Sequence, residues 1–208
     1  MTRDPRLAAL AALIIGFACA TPSDDGMADA EEAPTDDGAT AQADLSCFLR
    51  GATVGAAEAR TSPLRQVRFS YPGGEGLLCY SAPSVRGRGI IGGLVPYGEP
   101  WRAGANEPTT FHLTAATSIG GVRLEPGSYS MYAIPGRDVW RFFLNSNYER
   151  WGIPISADVR ATEVGSFTVE PESTDGMVEM LTYSHEDGAI VMAWENTRIE
   201  IPVGGNGT

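Results

Sequence analysis

Between Val67 and Val203 this chain repeatedly shows short runs in which apolar residues recur at every second position. Val67 and Phe69 flank Arg68; Phe111 and Leu113 alternate with Thr110, His112 and Thr114; Trp140, Phe142 and Leu144 alternate with Arg141 and lead to Asn145. Phe167/Val169, Val178/Met180, Ile190/Met192/Trp194 and Ile199/Ile201/Val203 continue the pattern. Successive side chains of a strand point to opposite faces, so a period of two is the mark of half-buried strands, whereas a helix face needs 3.6. Turn signals ("YPGGEG", "EPGS", "IPGRD", "EDGA") separate the runs at spacings typical of antiparallel sandwiches. In "LEPGSYSMYAI" the Pro126-Gly127 pair suits the centre of a type II turn leading into a strand. A short helix is expected over Thr53 to Arg60 and no major one beyond the N-terminus. The expected fold is all-β, an antiparallel β-sandwich with few or no major helices.

The N-terminus reads as an address. In "MTRDPRLAALAALIIGFACA" an apolar run from Leu7 to Ala18 follows Arg3 and Arg6. At ~1.5 Å per residue that run is too short for a ~30 Å hydrocarbon core, so it is a signal-peptide core and not a membrane span. Gly16 and Ala18 just before Cys19 resemble a bacterial lipoprotein signal, in which Cys19 becomes the lipid-carrying first residue of the mature protein. Phe17 departs from the small or β-branched residue usual there. Cleavage near Ala18 or Ala20, with Cys19 incidental, is the alternative.

From Ala20 to Asp44 there are eight acidic residues, no basic ones and no aromatics. Such a segment buries too little apolar area to offset the entropy of ordering it, and is expected to be a disordered tether. The organisation expected is therefore 1–19 signal peptide with lipobox cysteine, 20–46 acidic tether, and 47–208 folded domain. The whole chain carries a net charge of −11 with a pI near 4.6, and all fifteen of its cations are arginine. A nucleic-acid or anionic-membrane surface needs clustered cations for counterion release, so neither is expected as a partner of the folded part.

With Cys19 assigned to the signal, Cys47 and Cys79 remain as an even pair in an exported chain, and a disulfide between them is expected. The chain-entropy model gives such a bridge about 3–4 kcal/mol. Two buried free thiols are the alternative.

The run "CYSAPSVRGRGIIGGLVPYGEPWRAGANEPTTFHL", continued by "GGVRLEPGSYSMYAIPG" and "RWG", resembles the bacterial family known as domain of unknown function 2911 over about Ser62 to Val203. Ala103 stands where a threonine is common in that family and Pro108 where an alanine is expected. The resemblance implies an exported β-sandwich, often lipid-anchored. It implies no reaction.

Candidate chemistry is sparse. No G-x-S-x-G elbow occurs, and Ser128 and Ser166 sit in turn or strand contexts. His112 and His185 are the only histidines, with no ligand-spaced pair, so no metal and no cofactor is expected. His112 is placed on the polar face of a strand and His185 in the "SHEDG" turn. The best constellation is Arg88, Arg102 and Asn106 with Tyr97 and Trp101, joined by Trp151. An arginine fork grips carboxylate or phosphate, an amide offers donor and acceptor, and aromatic faces stack on sugars or guanidinium groups. Against it stands a plain alternative: arginines in Gly-rich loops bond to carbonyls that lack ladder partners. Trp140 is assigned to the core.

Two functional expectations follow. The first is a cell-envelope lipoprotein, anchored through Cys19 and placed at the outer membrane by analogy, since no aspartate follows Cys19, acting as a non-catalytic module for a glycan, peptide or protein partner. The second is a hydrolase-like or metal-assisted enzyme in which Arg102 and Asn106 stabilise an anion and His112 or a glutamate acts as base. The enzyme requires His112 or a carboxylate within reach of Arg102 or Asn106 across an open cleft.

Overall fold

A computed structural model describes residues 45–204. The signal segment, Cys19 and almost all of the acidic stretch lie outside the described residues. Ten strands and two short helices follow one another: α1 (Val54–Glu58), β1 (Leu64–Tyr71), β2 (Gly74–Ser81), β3 (Ala105–Leu113), β4 (Thr117–Ile119), β5 (Val122–Leu124), β6 (Gly127–Ile134), β7 (Trp140–Asn145), α2 (Ala157–Arg160), β8 (Glu163–Val169), β9 (Glu172–Glu186) and β10 (Ala189–Pro202). All strand pairs are antiparallel. The all-β expectation holds.

One layer is a six-stranded sheet in the order β1-β2-β3-β6-β7-β8. The other is made by two hairpins, β9–β10 and β4–β5, joined where Ile119 bridges Val203. There Gly120 N–H donates to the Pro202 carbonyl at 2.8 Å and Gly204 N–H to that of Ser118 at 2.9 Å. The alternation read in the sequence sorts side chains between the layers. Phe69, Leu78, Phe111, Met131, Trp140, Phe142 and Leu144 of the large sheet meet Leu181, Tyr183, Ile190, Met192, Trp194, Ile199 and Ile201 of β9 and β10 in one core.

In β10 the residues that enter the main core shift from even (Ile190, Met192, Trp194) to odd (Ile199, Ile201) positions, because the ladder slips on either side of Glu195. A bulge re-aims the side chain it carries. Here it lets the Glu195 carboxylate accept from the N–H groups of Ile90 (3.0 Å) and Ile91 (3.1 Å) and fasten the Gly-rich loop to the hairpin.

The outer face of the six-stranded sheet is covered as well. Residues 45–60 run across it as a strap, with Leu45, Cys47, Leu49 and Ala57 packed on Leu64, Leu77 and Cys79. A disulfide joins Cys47 to Cys79, with Cα atoms 5.8 Å apart. Thr53 caps α1 by accepting the Ala56 N–H at 3.2 Å, so the short helix expected near Thr53 to Arg60 is present.

Two local expectations are corrected. Pro126-Gly127 does not form a type II turn: Gly127 has φ 149°, far from the +80° or so that turn requires, and it already begins β6. His185 is not in a turn but near the end of β9, paired with Ile190, its ring 5.7 Å from that of Phe69. The turn begins two residues later, at Asp187 and Gly188, which both have positive φ.

Candidate functional site

The Gly-rich run between β2 and β3 ends in a cleft of about 320 Å³ whose lining includes Ser62, Ser84, Arg86, Arg88, Trp101, Arg102 and Trp194. Its wall begins at Pro83–Val85, which leaves the large sheet and pairs with β9: Val85 N–H donates to the Glu179 carbonyl (2.7 Å) and Leu181 N–H to that of Pro83 (2.9 Å). The chain then reverses at Arg86-Gly87, where φ is 51° and 68° and Arg88 N–H closes on the Val85 carbonyl at 3.1 Å. Positive φ at both central residues is the signature of a type I′ turn, easy for glycine and unfavourable for arginine. The Glu179 carboxylate accepts the Arg86 N–H at 2.9 Å and holds this turn.

Trp101 is stitched to the end of β6 by a pair of backbone bonds with Ala133, at 2.7 and 2.8 Å. Its ring stacks on Trp194 at 5.8 Å and meets the edge of Trp140 at 6.1 Å. Ala103 (φ 54°) and Asn106 (φ 57°) bend the chain sharply after it. The Ala103 carbonyl accepts both Thr109 Oγ1–H and Tyr183 Oη–H at 2.9 Å, which locks the bend to the core. Arg86, Ala103, Asn106 and Glu195 are four of the five described non-glycine residues with positive φ, and all stand on or beside this cleft. Backbone strain of this kind persists where surrounding structure enforces it, and it gathers at binding sites.

The arginines differ in what they hold. Arg88 donates Nε–H to the Val85 carbonyl (3.0 Å) and Nη2–H to the Ser84 carbonyl (2.7 Å), so it is largely a brace for the turn. Arg102 makes one long bond, Nε–H to the Gly104 carbonyl at 3.4 Å. Among the described residues its Nη groups have no acceptor, and none accepts from the Arg86 guanidinium. No acidic side chain lines the cleft among the described residues. Burial pushes the Arg102 pKa down from its ordinary value. Trp194 is 1% exposed and its indole N–H has no acceptor.

Of the residues read from the sequence, the fold brings Arg88, Trp101 and Arg102 together at this cleft. Asn106 stands at its back, where Nδ2–H donates to the Ser62 carbonyl at 3.1 Å. Tyr97 is directed elsewhere, with the Arg137 guanidinium 4.7 Å above its ring. Trp151 is exposed on a neighbouring loop, next to Gly152, whose N–H donates to the Asn106 carbonyl at 3.0 Å. Gly152 leaves no room for a side chain: a Cβ there would lie 2.4 Å from Arg102 Cδ. Arg86 and Trp194 were missed. Arg86 sits in the same Gly-rich run but carries no motif, and the alternation of β10 marks Trp194 only as core.

His112 does not meet Arg102 or Asn106. It lines another hollow, of about 470 Å³, under the strap with Ser128, Tyr148 and Glu149. There Nε2 bonds Thr110 Oγ1 at 3.0 Å and Nδ1 bonds Ser128 Oγ at 2.8 Å. Burial pushes its pKa down to about 4, so it is neutral at pH 7. The strap explains why a residue on the polar face of a strand is only 5% exposed. No cluster of three or more His, Cys, Asp or Glu able to hold a metal ion occurs among the described residues.

The sequence model of the family described as "Protein of unknown function (DUF2911)" matches residues 62–203. The chain belongs to the DUF2911 family. The match begins at Ser62, on the lip of the cleft, and ends at Val203, so every residue lining the cleft except Thr61 lies inside the DUF2911 region. No curated protein and no solved structure matches the chain.

Proposed function

We propose that this DUF2911 protein is a non-catalytic binding module of the bacterial cell envelope, exported and held by lipid on Cys19, and that its arginine cleft takes an anionic partner. The observation that carries the reading is Arg102: a partly desolvated guanidinium whose Nη groups lack acceptors, in a cleft without an acidic side chain among the described residues. A partly desolvated cation interacts more strongly with an anion than one in bulk water does, and a carboxylate or phosphate supplies the acceptors that its fork lacks. Binding is favoured over catalysis because no histidine or carboxylate of the described residues lines the cleft. His112, one of the two bases the hydrolase alternative allows, is hydrogen-bonded at both ring nitrogens and sits in a different hollow, and no glutamate lines the cleft among the described residues.

Two measurements test this. In membrane fractionation of the full chain, Cys19→Ser is expected to move the protein from the membrane to the soluble fraction; an unchanged distribution refutes the anchor. In titration calorimetry with small carboxylates, phosphates and sulfates against neutral analogues, an anion should bind and Arg102→Ala should weaken it at least about 10-fold. His112→Ala should leave that binding unchanged. If no anion binds with dependence on Arg102, the cleft is not the site.

A further inference from the structure

The cleft offers more than charge, and the class of anion it suits can be argued from the rest of its lining. Arg102 presents two unpartnered Nη groups, a planar fork matched to the two oxygens of a carboxylate. Trp194 lies in the same wall, but its indole N–H has no accessible surface and is out of a ligand's reach. Trp101 adds a partly exposed indole, and Ser62 and Ser84 add hydroxyls. A carboxylate fork, an aromatic surface and hydroxyls together complement a ring that has an apolar C–H face and carries both hydroxyl groups and a carboxylate.

A peptide docking as an added strand fits poorly. Strand addition needs the free carbonyls of a sheet edge. Pro83–Val85 is the edge beside β9, and the Ser84 carbonyl is already taken by Arg88 Nη2–H at 2.7 Å. At about 320 Å³ the cleft is also at the small end of ligand sites, the size of one ring with its substituents and not of a folded partner. Building on the anion-binding reading above, we propose that the cleft binds a uronate residue of an acidic saccharide, its carboxylate on the Arg102 fork and its ring against the indole of Trp101.

The test is titration calorimetry on the full chain in detergent with four probes: trigalacturonate, its methyl ester, inorganic phosphate, and a short N-acetylated peptide with a free C-terminal carboxylate. Trigalacturonate is expected to bind, and esterification to weaken it at least about 10-fold. Arg102→Ala should weaken the acid to the level of the ester and leave the ester unchanged, because the same interaction is removed from either side. Trp101→Ala, which removes the aromatic surface, should weaken acid and ester alike by several-fold. Arg102→Lys keeps the charge without the fork and should recover only part of the affinity; it carries the arm should Arg102→Ala melt early. Phosphate or peptide binding that depends on Arg102 while trigalacturonate does not bind overturns the uronate and leaves the anion-binding reading standing. Failure of all four probes to bind with dependence on Arg102 overturns both.

Discussion

The molecule gathers arginines and polar groups at two places, under the N-terminal strap and in the cleft after β2, and it treats them oppositely. Under the strap, charge and hydrogen-bonding capacity are matched. Arg60 Nη1 reaches the buried Glu107 carboxylate at 2.6 Å, and that carboxylate also accepts Arg50 N–H at 3.3 Å. Arg150, 8% exposed, donates to the carbonyls of Asn147 (3.2 Å), Trp151 (3.1 Å) and Gly152 (3.0 Å). His112 is bonded at both ring nitrogens. In the cleft, the Nη groups of Arg102 and the N–H of Trp194 find no acceptor among the described residues. A matched network holds a fold together; an unmatched one next to open space is prepared for something else. The comparison teaches that an arginine's neighbours, and not its presence in a Gly-rich run, separate a brace from a contact.

Breaking the matched region should cost stability, and the expected losses can be ranked. Replacing Cys47 and Cys79 by alanine together frees the strap and should lower the unfolding free energy in urea by about 3–4 kcal/mol; a loss below about 1 kcal/mol would mean that packing alone holds the strap. Arg150→Met leaves three carbonyls without their charged donor and should cost about 3 kcal/mol by the same measurement.

His112 comes next, through pH. Its pKa is about 4 in the native protein against the ordinary 6.5. As pH falls below about 6.5 the unfolded chain takes up a proton that the native state refuses until about pH 4, so the unfolded state binds more protons across that window. The His112 contribution is therefore complete above pH 6.5 and lost progressively down to about pH 4, amounting to about 2–3 kcal/mol. Comparing unfolding free energies of wild type and His112→Gln from pH 7.5 to 4 should isolate it. Parallel curves would show that the histidine does not titrate as described.

The smallest effect is expected in the unmatched region. Arg102→Ala removes one long hydrogen bond and some packing of its stem on Gly152, and should change stability by no more than about 1 kcal/mol while weakening anion binding at least about 10-fold. A loss as large as that of Arg150→Met would place Arg102 with the braces and erase the distinction.

Much of the fold was legible beforehand because period two is a local property. Phe111 and His112 report opposite faces of β3 whatever the rest of the chain does, and the assignment of Trp140 to the core followed from its neighbours Phe142 and Leu144. The Pro126-Gly127 turn and the position of His185 were misread because turn type depends on where strands begin, and that is decided by pairing with distant partners such as Leu113 and Ile190. The candidate site was legible in part. Arg88, Trp101 and Arg102 lie within one short run and meet at the cleft, but Tyr97 of the same run is directed elsewhere, so nearness in sequence does not settle the site. Trp194 arrives from the far end of the chain through the β9–β10 hairpin, and no spacing could announce it.

What the chain determined by itself is the alternation that makes strands, the turns that separate them, and a family-specific run between β2 and β3 rich in glycine and arginine. These are set by backbone sterics and by the partition of side chains between faces, which act over a few residues. What only the tertiary structure decided is the fate of each polar group. Arg88 closes on the carbonyls of its own turn, Asn106 on the carbonyl of Ser62, and Arg150 on its own loop, while the Arg102 fork is left without an acceptor at the cleft. Hydrogen bonds are short and directional, so their partners are known only when distant segments have been brought within about 3 Å of one another.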